Sequence, residues 1–144
     1  MRRKESGFTL IEMMVVIGII GILAVAGMSS FVGTLRKSRD AKRKSDLEQI
    51  RVALELYKSS NSSYPAATTG STESGLKDAL TTAPNNFISS NSFPKDPQAG
   101  VFYYYQRLTP QTYRLCASVE VVQPGDPGCN ANCGRTCNYG VTQP

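Results

Sequence analysis

The sequence predicts an α+β fold in which one long N-terminal helix carries a small antiparallel sheet. Three observations predict it. From Phe8 to Leu35 the chain is apolar or small, and Glu12 is its only charged residue. No proline occurs before Pro65, so nothing upstream removes a helix donor. Residues 101–106 and 112–122 are rich in strand formers, with a proline-containing connection between them.

The chain opens on a basic, polar segment, Met1-Arg2-Arg3-Lys4-Glu5-Ser6-Gly7. Positive charge ahead of an apolar stretch is the layout of an export signal, and it favours a cytoplasmic N-terminus. The apolar run exceeds the ~7–15 residues of a signal-peptide core and suffices for a span of about 20. The small residue that would suit a cleavage site, Gly7, precedes the run. A cut after Gly7 removes Arg2, Arg3 and Lys4 together with Glu5, so the formal net charge falls from +5 to +3, and it leaves the apolar helix in place. Glu12 then stands just inside the run, where a carboxylate costs roughly 2.5–3.5 kcal/mol on insertion scales. With no Lys or Arg within the run, its partner is expected outside this segment, on another copy of the chain.

Gly7-Phe8-Thr9-Leu10-Ile11-Glu12 and the apolar residues after it resemble the processing signal of type IV pilins and pseudopilins. That resemblance implies cleavage after Gly7 by a prepilin peptidase and N-methylation of Phe8. It also implies a pairing of Glu12 with the terminal amine of a neighbouring subunit. The implied partners are a homo-oligomeric filament, an inner-membrane assembly platform, and membrane lipid before assembly. Many pilins carry a proline about twenty residues into the mature chain; Met28-Ser29-Ser30 stands there instead. Gly18 and Gly21 remain as weak points of the helix, since glycine costs about 1 kcal/mol of propensity relative to alanine.

From Arg36 to Lys58 the pattern becomes amphipathic. Ala41, Leu47, Ile50, Leu54 and Tyr57 form a stripe at helical spacing, and Glu48–Arg51 and Glu55–Lys58 are pairs three apart. A helix over 8–58 would be about 77 Å long. The basic residues Arg36, Lys37, Arg39, Lys42, Arg43 and Lys44 follow the apolar run. They suit a membrane-surface or solvated face, or pairing with Asp40, Asp46 and Glu48 of neighbouring subunits. Aromatic residues are not interleaved among them, and nucleic acid is not expected as a partner.

The remainder, 59–144, has a formal net charge of zero. Ser59 to Ser63 is a polar break that ends the helix. Ser74 to Leu80 is expected to form a short helix capped by Ser74. Val101 to Gln106 and Thr112 to Val122 are expected to pair as a hairpin through Leu108–Gln111. Tyr113, Leu115, Ala117 and Val119 would share one face. So small a sheet cannot close a core alone, so its apolar face should pack on the helical stripe, giving a pilin-like lollipop. The domain plan is thus a leader at 1–7, an apolar helix at 8–35, an amphipathic helix at 36–58 and a head at 59–144.

Ser63-Tyr64-Pro65, and Phe93-Pro94-Lys95-Asp96-Pro97 ahead of Tyr103-Tyr104-Tyr105, resemble the major, G-type pseudopilin of type II secretion. That resemblance implies a calcium ion in a late aspartate-rich loop. Here the late region offers only Glu120 and Asp126 as carboxylates, too few for six to eight oxygen ligands, so no metal is expected. Cys116, Cys129, Cys133 and Cys137 lie in the same region. Outside the cytoplasm such cysteines pair. Cys116 is expected to pair with one of the three tail cysteines, any of which the sequence allows, and the remaining two to close a small loop. A four-cysteine zinc site is the alternative, against which the spacing of three residues between tail cysteines counts. The chain has no histidine and no phosphate-cradling glycine loop, so neither an enzymatic role nor a cofactor is expected. The sequence points to a filament subunit, pilin or pseudopilin, serving secretion, attachment, motility or DNA uptake. A minor pilin acting as tip adhesin or DNA-binding module is the alternative.

Overall fold

The structure is a computed structural model and describes residues 7–66, 70–84, 86–124 and 126–142. The leader expected at 1–7 therefore lies, except for Gly7, outside the described residues. The fold divides into two compact units at the Arg36/Lys37 boundary.

Helix α1 runs unbroken over Leu10–Asn61, 52 residues, or about 78 Å at 1.5 Å per residue. It passes through Gly18, Gly21, Gly27 and Gly33 without a break. It also outlasts the expected stop at Lys58 by three residues. Asn61 Nδ2 donates to the Tyr57 carbonyl at 3.0 Å. Ser62 adopts φ 61° and its N–H donates to Lys58 O at 2.7 Å. A left-handed residue closing a bond to the carbonyl four residues back is a C-terminal cap, so the serine run extends the helix before ending it.

In the second unit α1 presents Leu47, Ile50, Ala53 and Leu54 to the core, all buried. Ala41 is exposed, contrary to the expected stripe. Going back four residues from Leu47 and three more, the buried face instead carries Arg43 and Asp40. Glu48 and Arg51 pair at 3.1 Å. Glu55 and Lys58 both turn to Tyr64: its hydroxyl donates to Glu55 at 2.9 Å, and Lys58 Nζ lies 4.7 Å from its ring centre.

The main sheet has four antiparallel strands in the order β1-β2-β3-β6: Gly70–Ser71, Tyr104–Thr109, Thr112–Ala117 and Tyr139–Thr142. Strands β2 and β3 form the expected hairpin, with Tyr105 opposite Leu115 and a bulge between Arg107 and Thr109. Tyr113, Leu115 and Ala117 alternate onto the helix face and are buried with Tyr103, Tyr105, Tyr64, Ile88 and Phe93. Helix α2, Leu76–Thr81, adds Leu76 and Leu80. Its N-cap is Gly75 at φ 79°, with no side-chain cap, so Ser74 does not cap it.

Two expectations are corrected beyond β3. The strand stops at Ala117 and not at Val122, because the amides that would continue it are taken by other groups. Val119 N donates to Asn138 Oδ1 at 2.7 Å, and Glu120 N and Val121 N donate to the two Asp40 oxygens at 2.9 and 2.8 Å. The cysteine-rich tail is also structured. It holds a small ribbon, β4 (Ala131–Asn132) with β5 (Thr136–Cys137), and then β6, which pairs Gly140 with Cys116 and Val141 with Leu115. Gly134, at φ 78°, has no room for a Cβ, which would collide with the Gly100 carbonyl.

Leu115 is fully buried at the centre of this core. Leu115→Ala is expected to cost about 2–5 kcal/mol in a urea titration of the mature chain, whereas Val52→Ala, on the exposed side of α1, should stay within about 0.5 kcal/mol. Equal losses at both positions would contradict the packing described.

Candidate functional site

The candidate site is the start of α1. Phe8 is 80% exposed, and every described apolar side chain from Leu10 to Leu35 is exposed as well. An 18-residue window of this helix has a mean hydropathy of 2.5 and no burial within the chain. Length and composition are those of a membrane span. An exposed apolar surface of this extent also marks a surface that other molecules cover. A Cβ built on Gly18, Gly21, Gly27 or Gly33 would meet nothing within 4 Å, so no contact inside the chain requires these glycines.

Glu12 is not left alone. Thr9 N donates to Glu12 Oε2 at 2.8 Å and Thr9 Oγ1 to the same oxygen at 2.7 Å. In return Glu12 N donates to Thr9 Oγ1 at 3.3 Å. This reciprocal arrangement is a capping box, which satisfies helix-start donors and the carboxylate together. Within one chain the Glu12 carboxylate is thus held by Thr9. Thr9 was missed as a functional residue, although Thr-x-x-Glu ahead of an apolar run is its signature.

The second unit holds a charge cluster that the sequence reading assigned to solvent or to neighbours. Arg43 has no exposed surface, and all five of its N–H donors are used. Nε and Nη2 grip Asp96 at 2.7 and 3.1 Å. Nη1 reaches Asp40 at 2.8 Å and Glu120 at 3.1 Å, and Nη2 reaches Gln98 at 2.9 Å. Arg39 holds Glu120 through two bonds of 2.6 and 2.7 Å. Lys42 pairs with Asp46 at 2.8 Å, and Asp46 also accepts from the buried Tyr103 hydroxyl at 2.6 Å. Lys44 reaches Asp126 at 2.8 Å and lies over the Tyr139 ring. Asp40 and Asp46, expected to serve neighbouring subunits, are therefore engaged within their own chain.

The ionisation equilibria follow this geometry. Burial works against the Arg43 charge, and the hydrogen bonds with Asp96 and Asp40 outweigh it, so its pKa sits above the ordinary value. The hydrogen bonds from Arg39, and then Arg43, hold the Glu120 carboxyl down at about 2. The Lys44 hydrogen bond lowers Asp126, and Lys44 is raised in turn.

The four cysteines form Cys116–Cys129 and Cys133–Cys137 disulfides, with Cα separations of 6.1 and 5.5 Å. All four sulfurs are thereby consumed in covalent pairs, which leaves no thiolate set for zinc. The cystines are buried on the sheet face away from the helix, under Tyr104 and Ala131. Gly140 makes room for them: a Cβ there would lie 3.0 Å from Cys129 Cβ.

Two measurements check these features. A carboxyl whose folded pKa is depressed contributes stability that is present above its unfolded value and lost as pH falls toward the folded one. Stability should therefore hold from neutral pH down to the ordinary carboxylate value of 4.5 and decline from there toward about 2. Glu120→Gln should remove about 1–3 kcal/mol at neutral pH and flatten that decline; an unaltered acid profile would contradict the pairing. Exported protein, denatured without reductant, should show no titratable thiol. Reduction should cost about 3 kcal/mol through the Cys116–Cys129 loop alone, on the chain-entropy account.

Comparison with known proteins gives two family matches. Residues 2–28 match the prokaryotic N-terminal methylation motif, and residues 30–136 match type II secretion system (T2SS) protein G. The chain is 33% identical to a type II secretion system core protein G of Aeromonas hydrophila, over 93% of this chain and 94% of that one. It is 34% identical to the core protein G of Vibrio cholerae, over 92% of each. Over 77% of this chain and 78% of the relative it is 34% identical to the core protein G of Pseudomonas aeruginosa. No solved structure matches it. With an exposed apolar helix behind a methylation motif and a sheet packed on the helix's second half, the chain belongs to the type II secretion system protein G family.

Proposed function

We propose that this protein is the major pseudopilin of a type II secretion system, a structural subunit that polymerises through its N-terminal helix. The observation that carries the reading is the bare apolar length of α1: its first half has no cover within the chain. Lipid covers it before assembly, and the helices of neighbouring subunits cover it in the filament. The glycines of that half let helices approach closely. The protein is not an enzyme, in keeping with its family.

Before assembly the subunit is a single-pass protein of the cytoplasmic membrane, its N-terminus held in the cytoplasm by Arg2, Arg3 and Lys4. Prepilin peptidase cuts between Gly7 and Phe8 and methylates Phe8. The mature chain then consists of an apolar segment at 8–35, an amphipathic helical segment from 36 that ends at Asn61, and the head that follows. The new amine of one subunit pairs with Glu12 of another, which exchanges its contacts with Thr9 for that pairing. An inner-membrane platform extracts the subunit from lipid, and the filament grows into the periplasm. A DNA-binding role is not favoured, because Arg39, Lys42, Arg43 and Lys44 are engaged by carboxylates of the same chain.

Mass spectrometry of assembled material should show a chain that starts at methylated Phe8; an intact Met1 terminus would overturn the processing step. Glu12→Val should insert normally, since the buried carboxylate is gone. It should reduce sheared filament by about tenfold or more, the factor that a contact worth ~1.4 kcal/mol per subunit implies. Filament at the native level would refute the role of Glu12.

A further inference from the structure

The resemblance to G-type pseudopilins implies a late calcium loop, and the late carboxylates of this chain, Glu120 and Asp126, lie in the stretch after β3. Its donors do not fit a calcium ion. Both Glu120 oxygens accept from Arg39, and one also accepts from Arg43. One Asp126 oxygen accepts from Lys44 and the other from the Gln123 amide. The nearby Asp40 carboxylate is committed to the Glu120 and Val121 amides and to Arg43. Calcium takes six to eight oxygen ligands, and no group of three or more metal-ligating side chains is found among the described residues. An ion placed there would also face three positive side chains of α1 at close range, where like charges repel.

What a bound cation would do for the loop is already done. Arg39 fixes Glu120, Lys44 fixes Asp126, and Arg43 joins Glu120 to Asp96 on the loop that precedes β2. Asp40 adds the complementary half by holding two loop amides from the helix side. We propose that Arg39, Arg43 and Lys44 replace a divalent metal as the clamp on this loop, so that the folding of this subunit is independent of calcium. The difference is one of mass action. A diffusible ligand stabilises by an amount that grows with the logarithm of its concentration, and a metal that completes a fold makes that fold sensitive to chelators. Cations attached to the helix are present at a fixed effective concentration whatever the medium holds.

The test is thermal unfolding of the full mature chain in detergent micelles, followed by near-ultraviolet circular dichroism, in excess EGTA and in millimolar calcium chloride. The melting temperature is expected to agree between the two to about 1 °C. Arg39→Gln and Lys44→Gln should each lower it by about 2–8 °C in both media, and Lys44→Arg should retain most of it. A melting temperature that falls in EGTA and returns with calcium would overturn the proposal. So would Gln variants that melt with the native protein, since the cations would then not be the clamp. Should the Arg39 variant fail to accumulate, the native protein and Lys44→Gln decide the question.

Discussion

A guanidinium with no exposed surface, that of Arg43, ties together distant segments of the second unit. Removing such a charge from water costs several kcal/mol, and the cost is recovered only if the geometry of its partners is complete. Arg43 meets that condition with two bonds to Asp96 and single bonds to Asp40, Glu120 and Gln98. Those partners lie on α1, on the Asp96–Gln98 turn and on the loop after β3, so three segments far apart in sequence must all be in place together. A buried ionic cluster is weak evidence of net stability. What it does here is fix the loop after β3 against α1, through Glu120 on Arg39 and Arg43 and through the Glu120 and Val121 amides on Asp40.

The same cluster explains how one helix serves two environments. Up to Leu35 the helix is apolar apart from Glu12 and a few small polar residues, and its described side chains are exposed. From Lys37 onward it belongs to a compact, solvent-compatible unit. The cations that follow the apolar run would ordinarily be read as a membrane-surface belt. Four of them are instead paired with carboxylates within the unit: Lys42 with Asp46 on the helix itself, and Arg39, Arg43 and Lys44 with Glu120, Asp96 and Asp126 on the head. Apolar packing takes over three residues further on, where Leu47, Ile50 and Leu54 meet the tyrosine-rich hairpin.

Much of this was legible in the sequence, because the signals were local. Proline-free helical periodicity gave α1, and alternation gave β2 and β3. Thr-x-x-Glu, read as a capping box, would have given the local partner of Glu12. Extending the Leu47-Ile50-Leu54 phase backwards would have put Arg43 and Asp40 on the buried face in place of Ala41. What stayed hidden was non-local. Glu120 is 81 residues from Arg39 and Asp126 is 82 from Lys44, and no short-range pattern links them. Strand β6 is four residues with a glycine in it; its pairing is set by β3 and by the cystines, and strand propensity contributes little to it. The missing cap of α2 is of the same kind, since Gly75 provides a backbone geometry that Ser74 does not.

The cystine pattern has a consequence for how the molecule reaches its native covalent state. Cys133–Cys137 closes a loop with a sequence separation of four, and the non-native pair Cys129–Cys133 would close one of the same size. Loops of equal length have similar closure entropy, so it discriminates little between these two local pairs. Discrimination comes from tertiary structure: β6 must dock on β3 to bring Gly140 beneath Cys129, and the β4–β5 ribbon must form to set Cys133 beside Cys137. Oxidation that outruns this docking traps the local isomer, which only thiolate attack on an existing disulfide can undo. The native pairing therefore depends on docking that precedes oxidation, or on thiol–disulfide exchange that corrects the pairs afterwards.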